Sequence, residues 1–367
     1  MIRNAAELAE TCAALKKGGV AALDTEFVWR GTYRPLLSLV QLGAADGTSW
    51  AEDCLLGLDT APLAELLRDA STVKVLHDAH QDLDHLFHYT GALPVNVFDT
   101  QLAAAFAGLP ARLSLQNLLT ETVGITLPKT ETLTDWAQRP LTPQQMSYAL
   151  DDVRYLGEAR AELIARAEKL GTLAWMEEEM RVYDDPSLYG DPDPEEQWRR
   201  VKCGNVRLDG RGRACLRALA ATRERLAMEW NLPRAWLGDD ASLAAMAAAG
   251  PMTSARLRFR HRLRNRGQQA LVAAAFAKAL EEGSAVPEDE CPVDFHPHYI
   301  AEVKEAAEDA LEFMRARAEE LHVDPAVIAN KATVLAWVDD PGNPENPLAV
   351  GWRHEVVGRD IAEKFEV

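Results

Sequence analysis

Between Val20 and Thr100, short apolar runs alternate with helix-like stretches, and this alternation constrains the fold more than any other feature of the chain. GVAALDTEF, LLSLVQLG, TVKVLHD and PVNVFDT have the length and the Val, Leu and Phe content of buried strands. Helical spacing occupies the segments near 61–70 and 80–90. Strands interleaved with helices predict an α/β sheet through about residue 100. Beyond it the periodicity is helical, clearest in SLQNLLTETVG and TPQQMSYALDDVRYLGEARAELIARAEKL. Thr142 before Pro143 marks a helix start, because proline is tolerated at the first helical position. The stretch 183–196, YDDPSLYGDPDPEE, has the proline, glycine and acid content of an exposed linker, and nearly everything after it reads as helix. At 367 residues the chain calls for two or three domains.

No run approaches the roughly 20 apolar residues a membrane helix needs, and MIRNAAELAETCAALKKGG reads as an amphipathic helix rather than a signal peptide. Cys12, Cys54, Cys203, Cys215 and Cys291 are odd in number, widely spaced and without a CxxC, as expected of reduced thiols in a cytoplasm. The net charge of −18 argues at first against a polyanionic partner. It is unevenly spread: residues 1–170 and 171–198 each carry −8, residues 199–280 carry +12, and residues 281–367 carry −14. A basic block between acidic ones points to nucleic acid and assigns the contact to the middle.

Three acidic constellations carry chemistry. In Asp24-Thr25-Glu26, at the end of an apolar strand, residues two apart share a face, so both carboxylates converge while Thr25 faces away. Two hard oxygen ligands placed so suit Mg²⁺ or Mn²⁺, although such a triplet also suits a solvated strand end. In VLHDAHQDLDHLF, just after a buried strand, Asp78, Asp82 and Asp84 compete for a role at a strand-to-helix turn. His77, His80, His85 and His88 there lack the companions of a zinc site. In YALDD, Tyr148 and Asp152 lie one helical turn apart on one face. A phenol with an ordinary pKa near 10 is a poor base at neutral pH, but it can hold a water by hydrogen bond.

DTEF on a strand, HDAHQDL after a later strand and YALDDVRYL on a helix resemble, in order and spacing, the three motifs of the DEDD exonucleases with a tyrosine in the third. The pattern is most similar to ribonuclease D, with PLLSLVQLG, VFDTQLAA, LSLQNLL and LTDWAQRPLTPQQMSYALDDVRYL between and around the motifs. The resemblance covers roughly residues 1–170. It implies a ribonuclease-H-like α/β exonuclease domain with Asp24, Glu26, Asp82 and Asp152 holding two divalent metal ions, Mg²⁺ or Mn²⁺, and Tyr148 orienting the attacking water. Asp84 and Asp151 sit beside motif residues but off the motif positions. Thr25, Phe27 and His77 flank the motifs and are expected to line the pocket for the terminal nucleoside.

Downstream, CLRALAATRERLAMEWNLPRAWLGDDASLAAMA resembles the nucleic-acid-binding helicase-and-RNase-D C-terminal (HRDC) domain. ELHVDPAVIANKATVLAWV and the ending Gly351-Trp352-Arg353 look like a second such module. Its acidity favours packing against the rest of the molecule over binding RNA. The expected architecture is an exonuclease domain over 1–170, an acidic linker over 171–198, and two all-α HRDC-like domains over 199–283 and 284–367. The expected activity is 3′→5′ exoribonucleolytic release of nucleoside 5′-monophosphates by a cytoplasmic monomer, with transfer-RNA precursors as the RNA. A DNA-directed exonuclease of the same site chemistry, or an RNA-binding adaptor with a silent nuclease domain, stands as the alternative. In the basic block, Arg256, Arg258, Arg260, Arg262, Arg264 and Arg266 occupy every second position and are expected to meet RNA phosphates from a helix.

Overall fold

A computed structural model of the chain describes residues 1–127, 134–293 and 299–365. Leu133, which opens the LTDW run, lies outside the described residues. After helix α1 (Ala5–Gly18), five strands form one sheet: β1 (Val20–Val28), β2 (Leu36–Gly43), β3 (Ser49–Asp53), β4 (Val73–Leu76) and β5 (Val97–Asp99), in the order β3-β2-β1-β4-β5. β2 and β3 form an antiparallel hairpin with Leu39 opposite Asp53 and Gly43 opposite Ser49. β4 runs parallel to β1, with Ala22 opposite Val75, and parallel to β5, with Leu76 opposite Asp99. Parallel neighbours need crossover connections. Those connections carry α2 (Ala61–Arg68) before β4 and α3 (His80–Thr90) before β5. The mixed sheet and its helices make the α/β half expected from the strand–helix alternation, of the ribonuclease-H-like kind that the resemblance implied. The helices α4 (Thr100–Ala104), α5 (Leu115–Val123), α6 (Pro143–Arg154), α7 (Leu156–Leu170) and α8 (Leu173–Met180) complete it.

The chain divides into two compact units. The first joins Met1–Val28 and Leu37–Gly190 to the residues from Tyr299 onward. Its C-terminal helices, α13 (Ala301–Glu320), α14 (Pro325–Ile328) and α15 (Lys331–Asp339) once the second unit's helices are counted, share one continuous core with the sheet half. The Gly351-Trp352-Arg353 run supplies the anchor. The Trp352 ring stacks on Trp175 at 5.6 Å and 20°, and meets Phe106 edge-on at 5.3 Å. Trp352 Nε1 donates to Glu179 at 2.8 Å, and Arg353 pairs with the same carboxylate while donating to the carbonyls of Val327 and Ile328 at 2.8 Å. Gly351 has φ of 61°, and a Cβ there would collide with Glu178. The acidic C-terminal segment is therefore packed by apolar burial and by Arg353.

The second unit comprises residues 29–36 and the stretch from Asp191. Among the described residues it is built from the α-helices α9 (Gly210–Glu229), α10 (Arg234–Leu237), α11 (Asp240–Ala249) and α12 (Arg266–Ser284), around Leu219, Leu237, Phe276 and Leu280. Gly283 lets α12 approach α9, since a Cβ would fall 2.6 Å from Cys215 Cα. Of the stretch 171–198 read as linker, α8 and the buried Tyr183 belong to the first unit, and the buried Trp198 to the second.

The helix expected over the alternating arginines is absent. α12 begins only at Arg266, and residues 256–264 lie in irregular backbone with burial of period two. Leu257 and Leu263 are buried, Phe259 is half-buried, and the arginines between them are exposed. A helix would have scattered those apolar side chains round its circumference, whereas an extended chain turns them all inward. Backbone bonds hold the segment to its own unit: Arg260 N to Ser242 Oγ at 2.9 Å, Asp239 N to Arg260 O at 3.3 Å, and Arg262 N to Trp236 O at 2.8 Å.

Candidate active site

Strand alternation sets Asp24 and Glu26 on one face of β1, from its middle onward rather than at its end, and Asp152 of α6 joins them. One oxygen from each of these three carboxylates lies within 4.8 Å of the others. Gln41 on the neighbouring β2 donates to Asp24 Oδ2 at 3.1 Å. A cavity of about 290 Å³ opens over the cluster, lined also by Thr25, His77, Asp82 and Tyr148.

Asp82 stands in the first turn of α3 and faces the cavity through a contact the strand pattern did not suggest. Thr25, buried on β1, donates its hydroxyl to Asp82, and His85 Nδ1 lies 3.3 Å from the same hydroxyl. Phe27 packs edge-on against His85 at 4.3 Å and does not line the cavity. His77 is engaged at both ring nitrogens, Nδ1 with Thr100 Oγ1 at 2.9 Å and Nε2 with the Leu113 carbonyl at 3.0 Å. The turn that aims α3 is held by Asp99, which accepts from the amides of Asp78 and Ala79 at 3.0 Å each and from the Tyr183 hydroxyl at 2.5 Å. Asp78 itself sits at φ 61°, a left-handed conformation that these bonds sustain.

The third element is built with equal care. Thr142 caps α6 in a capping box with Gln145, fixing the start of the helix that carries Tyr148 and Asp152. The Tyr148 ring stacks on Trp136, centroids 6.1 Å apart at 26°. Arg139 locks the loop bearing Trp136: its fork takes both oxygens of Asp53 at 2.7 and 2.6 Å, and it donates to the carbonyls of Trp136 at 2.7 Å and Ser38 at 3.1 Å. Asp151 pairs with Arg154, and Asp84 with His88, so both acids are spent outside the cluster. Asp53, Asp99, Trp136 and Arg139 were missed as site-builders. The Asp-Trp and Arg-Pro pairs marked the loop without revealing what it touches.

The electrostatics follow from burial of like charges. Desolvation, then repulsion by Asp82, Asp152 and Glu26, drives the Asp24 carboxyl well above the carboxylate range. Glu26 is pushed to about 8, by burial first and then by Asp152 and Asp82. Burial also lifts Asp82 and Asp152 to about 7; Asp78 and Asp99 add to the shift of Asp82, and Asp151 and Asp82 to that of Asp152. The Tyr148 phenol rises further above its usual value, by burial and the neighbouring carboxylates, and burial lowers the His77 imidazole below its own. No Lys or Arg lines this cavity among the described residues. Three converging carboxyl groups, with Asp82 in the same cavity, form a hard-oxygen donor set of the kind that divalent cations satisfy.

The six arginines of 256–266 belong to the second unit. No helix among the described residues is long and apolar enough to cross a membrane.

Residues 1–166 match the 3′-5′ exonuclease family. The chain is 36% identical to ribonuclease D of Desulfotalea psychrophila over 86% of its own length and 84% of that protein's. It is 32% identical to ribonuclease D of Granulibacter bethesdensis over 98% and 91%. The crystal structure of Escherichia coli RNase D, described as an exoribonuclease involved in structured RNA processing, superposes with a TM-score of 0.86 at 29% identity, covering 100% of this chain and 99% of that one.

Proposed function

The chain belongs to the ribonuclease D family of exoribonucleases, and from that premise we propose that it releases nucleoside 5′-monophosphates from RNA 3′ ends by two-metal hydrolysis at the carboxylate cavity. The observation that carries the reading is the convergence of Asp24, Glu26 and Asp152, with Asp82 in the same cavity and no cationic side chain lining it among the described residues. These four would hold two Mg²⁺ or Mn²⁺ ions. Bound there, the ions supply a water of lowered pKa and neutralise charge on the departing 3′ oxygen.

The chain's own groups do the rest. Tyr148 stays protonated and serves as a hydrogen-bond donor that holds the attacking water, not as a base. Thr25 orients Asp82 by its hydroxyl and, with His77, borders the space for the terminal nucleoside. Phe27 acts through His85, keeping that ring against Thr25. The helices of the second unit form the first HRDC-like domain, and the C-terminal helices packed on the nuclease half form the second. RNA phosphates meet the exposed arginines of 256–266. The protein works as a cytoplasmic monomer on transfer-RNA precursors.

A time course on a transfer-RNA precursor with an extended 3′ end tests this reading. Stepwise shortening that releases mononucleotides, depends on Mg²⁺ or Mn²⁺ and stops in EDTA supports it. Metal-independent cleavage, or RNA binding without shortening, overturns it. Preference for single-stranded DNA in a direct competition would replace the RNA assignment.

A further inference from the structure

Away from the carboxylates, the second unit holds a cleft of about 1040 Å³ on the segment from Trp198 to Leu208. Five cations line it, Arg199, Arg200, Lys202, Arg207 and Arg213, and no carboxylate does. The cleft lies at the start of the block 199–280, which carries +12 within a chain of net charge −18. Two of the five are otherwise engaged. Arg213 donates to the carbonyls of Leu208 at 2.8 Å and Pro292 at 2.6 Å, and Arg199 pairs with Glu196. Arg200, Lys202 and Arg207 are exposed and have no carboxylate partner among the described residues. Asp240, the nearby acid, is occupied from below. It pairs with the buried Arg223 at 2.8 Å and accepts from the Lys202 amide at 3.1 Å, which pins the loop and leaves the Lys202 ammonium free.

Arg200 also lines a second cavity of about 560 Å³, whose wall includes Trp29. Trp29 is 60% exposed, yet the loop that carries it is firmly held. Tyr33 donates its hydroxyl to the fully buried Glu224, and its amide donates to Asn231 Oδ1 at 3.0 Å. Gly31, at φ 72°, lies against the Trp236 ring, where a Cβ would come within 2.7 Å. A fixed loop that presents a bare indole beside an unpaired guanidinium has the chemistry of a base-stacking platform next to a phosphate.

We propose that this cleft binds the backbone phosphates of single-stranded RNA through Arg200, Lys202 and Arg207, with a base stacked on Trp29, as a contact separate from the arginines of 256–266. The assignment rests on the exoribonuclease reading for the identity of the polyanion. Fluorescence anisotropy of a labelled oligouridylate on the full chain in EDTA, as a function of salt, tests it. At about 0.7 per phosphate on a single strand, Arg200→Gln/Lys202→Gln/Arg207→Gln should flatten the log–log salt slope by about 2. Trp29→Ala should weaken binding about five-fold or more while leaving the slope unchanged. Cross-linking with 4-thiouridine RNA should place adducts on peptides containing Trp29 and residues 198–208. A triple variant with wild-type melting and an unchanged slope, or adducts confined to residues 256–266, would overturn the cleft. If the wild-type protein shortens RNA with Mg²⁺, those results count against the cleft alone; if it does not, the exoribonuclease reading fails first.

Discussion

The ring of Trp136 lies nearly parallel to that of Tyr148, 6.1 Å away, and Arg139 holds the Trp136 loop through the carboxylate of Asp53. The tyrosine proposed to hold the attacking water is thus positioned through a loop that is itself tied to the β2–β3 hairpin. If that chain of contacts matters, Trp136→Ala should lower kcat about ten-fold with little change in KM, and Trp136→Phe should recover most of it. In a Tyr148→Phe background the Trp136 effect should largely vanish, as expected of two residues acting as a unit. Full additivity of the two substitutions would dismiss the coupling.

Tyr148→Phe alone should lower kcat while leaving the shape of the pH–rate profile intact, because the phenol remains protonated far above neutral pH. The disappearance of one limb would show that Tyr148 titrates during turnover.

Asp24→Ala, Glu26→Ala, Asp82→Ala and Asp152→Ala should each cut kcat by at least about 10², at roughly 1.36 kcal/mol per decade, with RNA binding retained. Steady-state kinetics beside a binding assay checks this. Near-normal turnover by the Asp24 variant would end the two-metal proposal.

The site also sets a pH dependence. Glu26, Asp82 and Asp152 have carboxyl groups raised to about 8, 7 and 7 by burial and mutual repulsion. A folded-state pKa above the unfolded value means that the native protein binds more protons, so metal-free stability falls as pH rises from about 5 to 8. Cations bind the deprotonated groups, so apparent metal affinity should climb over the same range with proton release. Melting curves in EDTA and in Mg²⁺ should therefore diverge towards pH 8; parallel curves from pH 5 to 8 would contradict the coupling.

Arg353→Ala should remove the guanidinium from the Glu179 carboxylate, which keeps the Trp352 indole as a donor, and from the Val327 and Ile328 carbonyls, destabilising the first unit by about 2 kcal/mol or more. Denaturant unfolding measures it, and a loss below about half that figure would mean that apolar packing around Trp352 carries the docking alone.

Replacing all six arginines of 256–266 with glutamine should flatten the salt slope by about 2 or more and raise KM, with kcat within a few-fold. An unchanged slope in a folded variant would leave these side chains as surface solvation.

Much of this was legible from local pattern. Strand runs alternating with helices specified an α/β sheet, and the two-residue repeat of a strand placed Asp24 beside Glu26. The Thr142-Pro143 start and the four-residue spacing set Tyr148 and Asp152 on one face of α6. These features depend on nearest neighbours along the chain, and periodicity records them. The arginine segment shows where periodicity stops: its period of two is visible, but its few apolar companions and the helical AFAKAL segment that follows make it read as a helix, and the leucines' burial against their own unit decides otherwise.

Contacts between residues far apart in sequence were decided only by the tertiary structure. Thr25 on Asp82, Arg139 on Asp53, Asp99 beneath the α3 turn and Trp352 on Trp175 join positions separated by 21 to 177 residues. The raised carboxyl pKa values belong to the same class, since repulsion and desolvation arise only when distant acids enter one buried cavity. A sequence fixes which groups are available and which face of an element they occupy. Which groups meet depends on how the elements pack, and that is settled by burying the whole core at once.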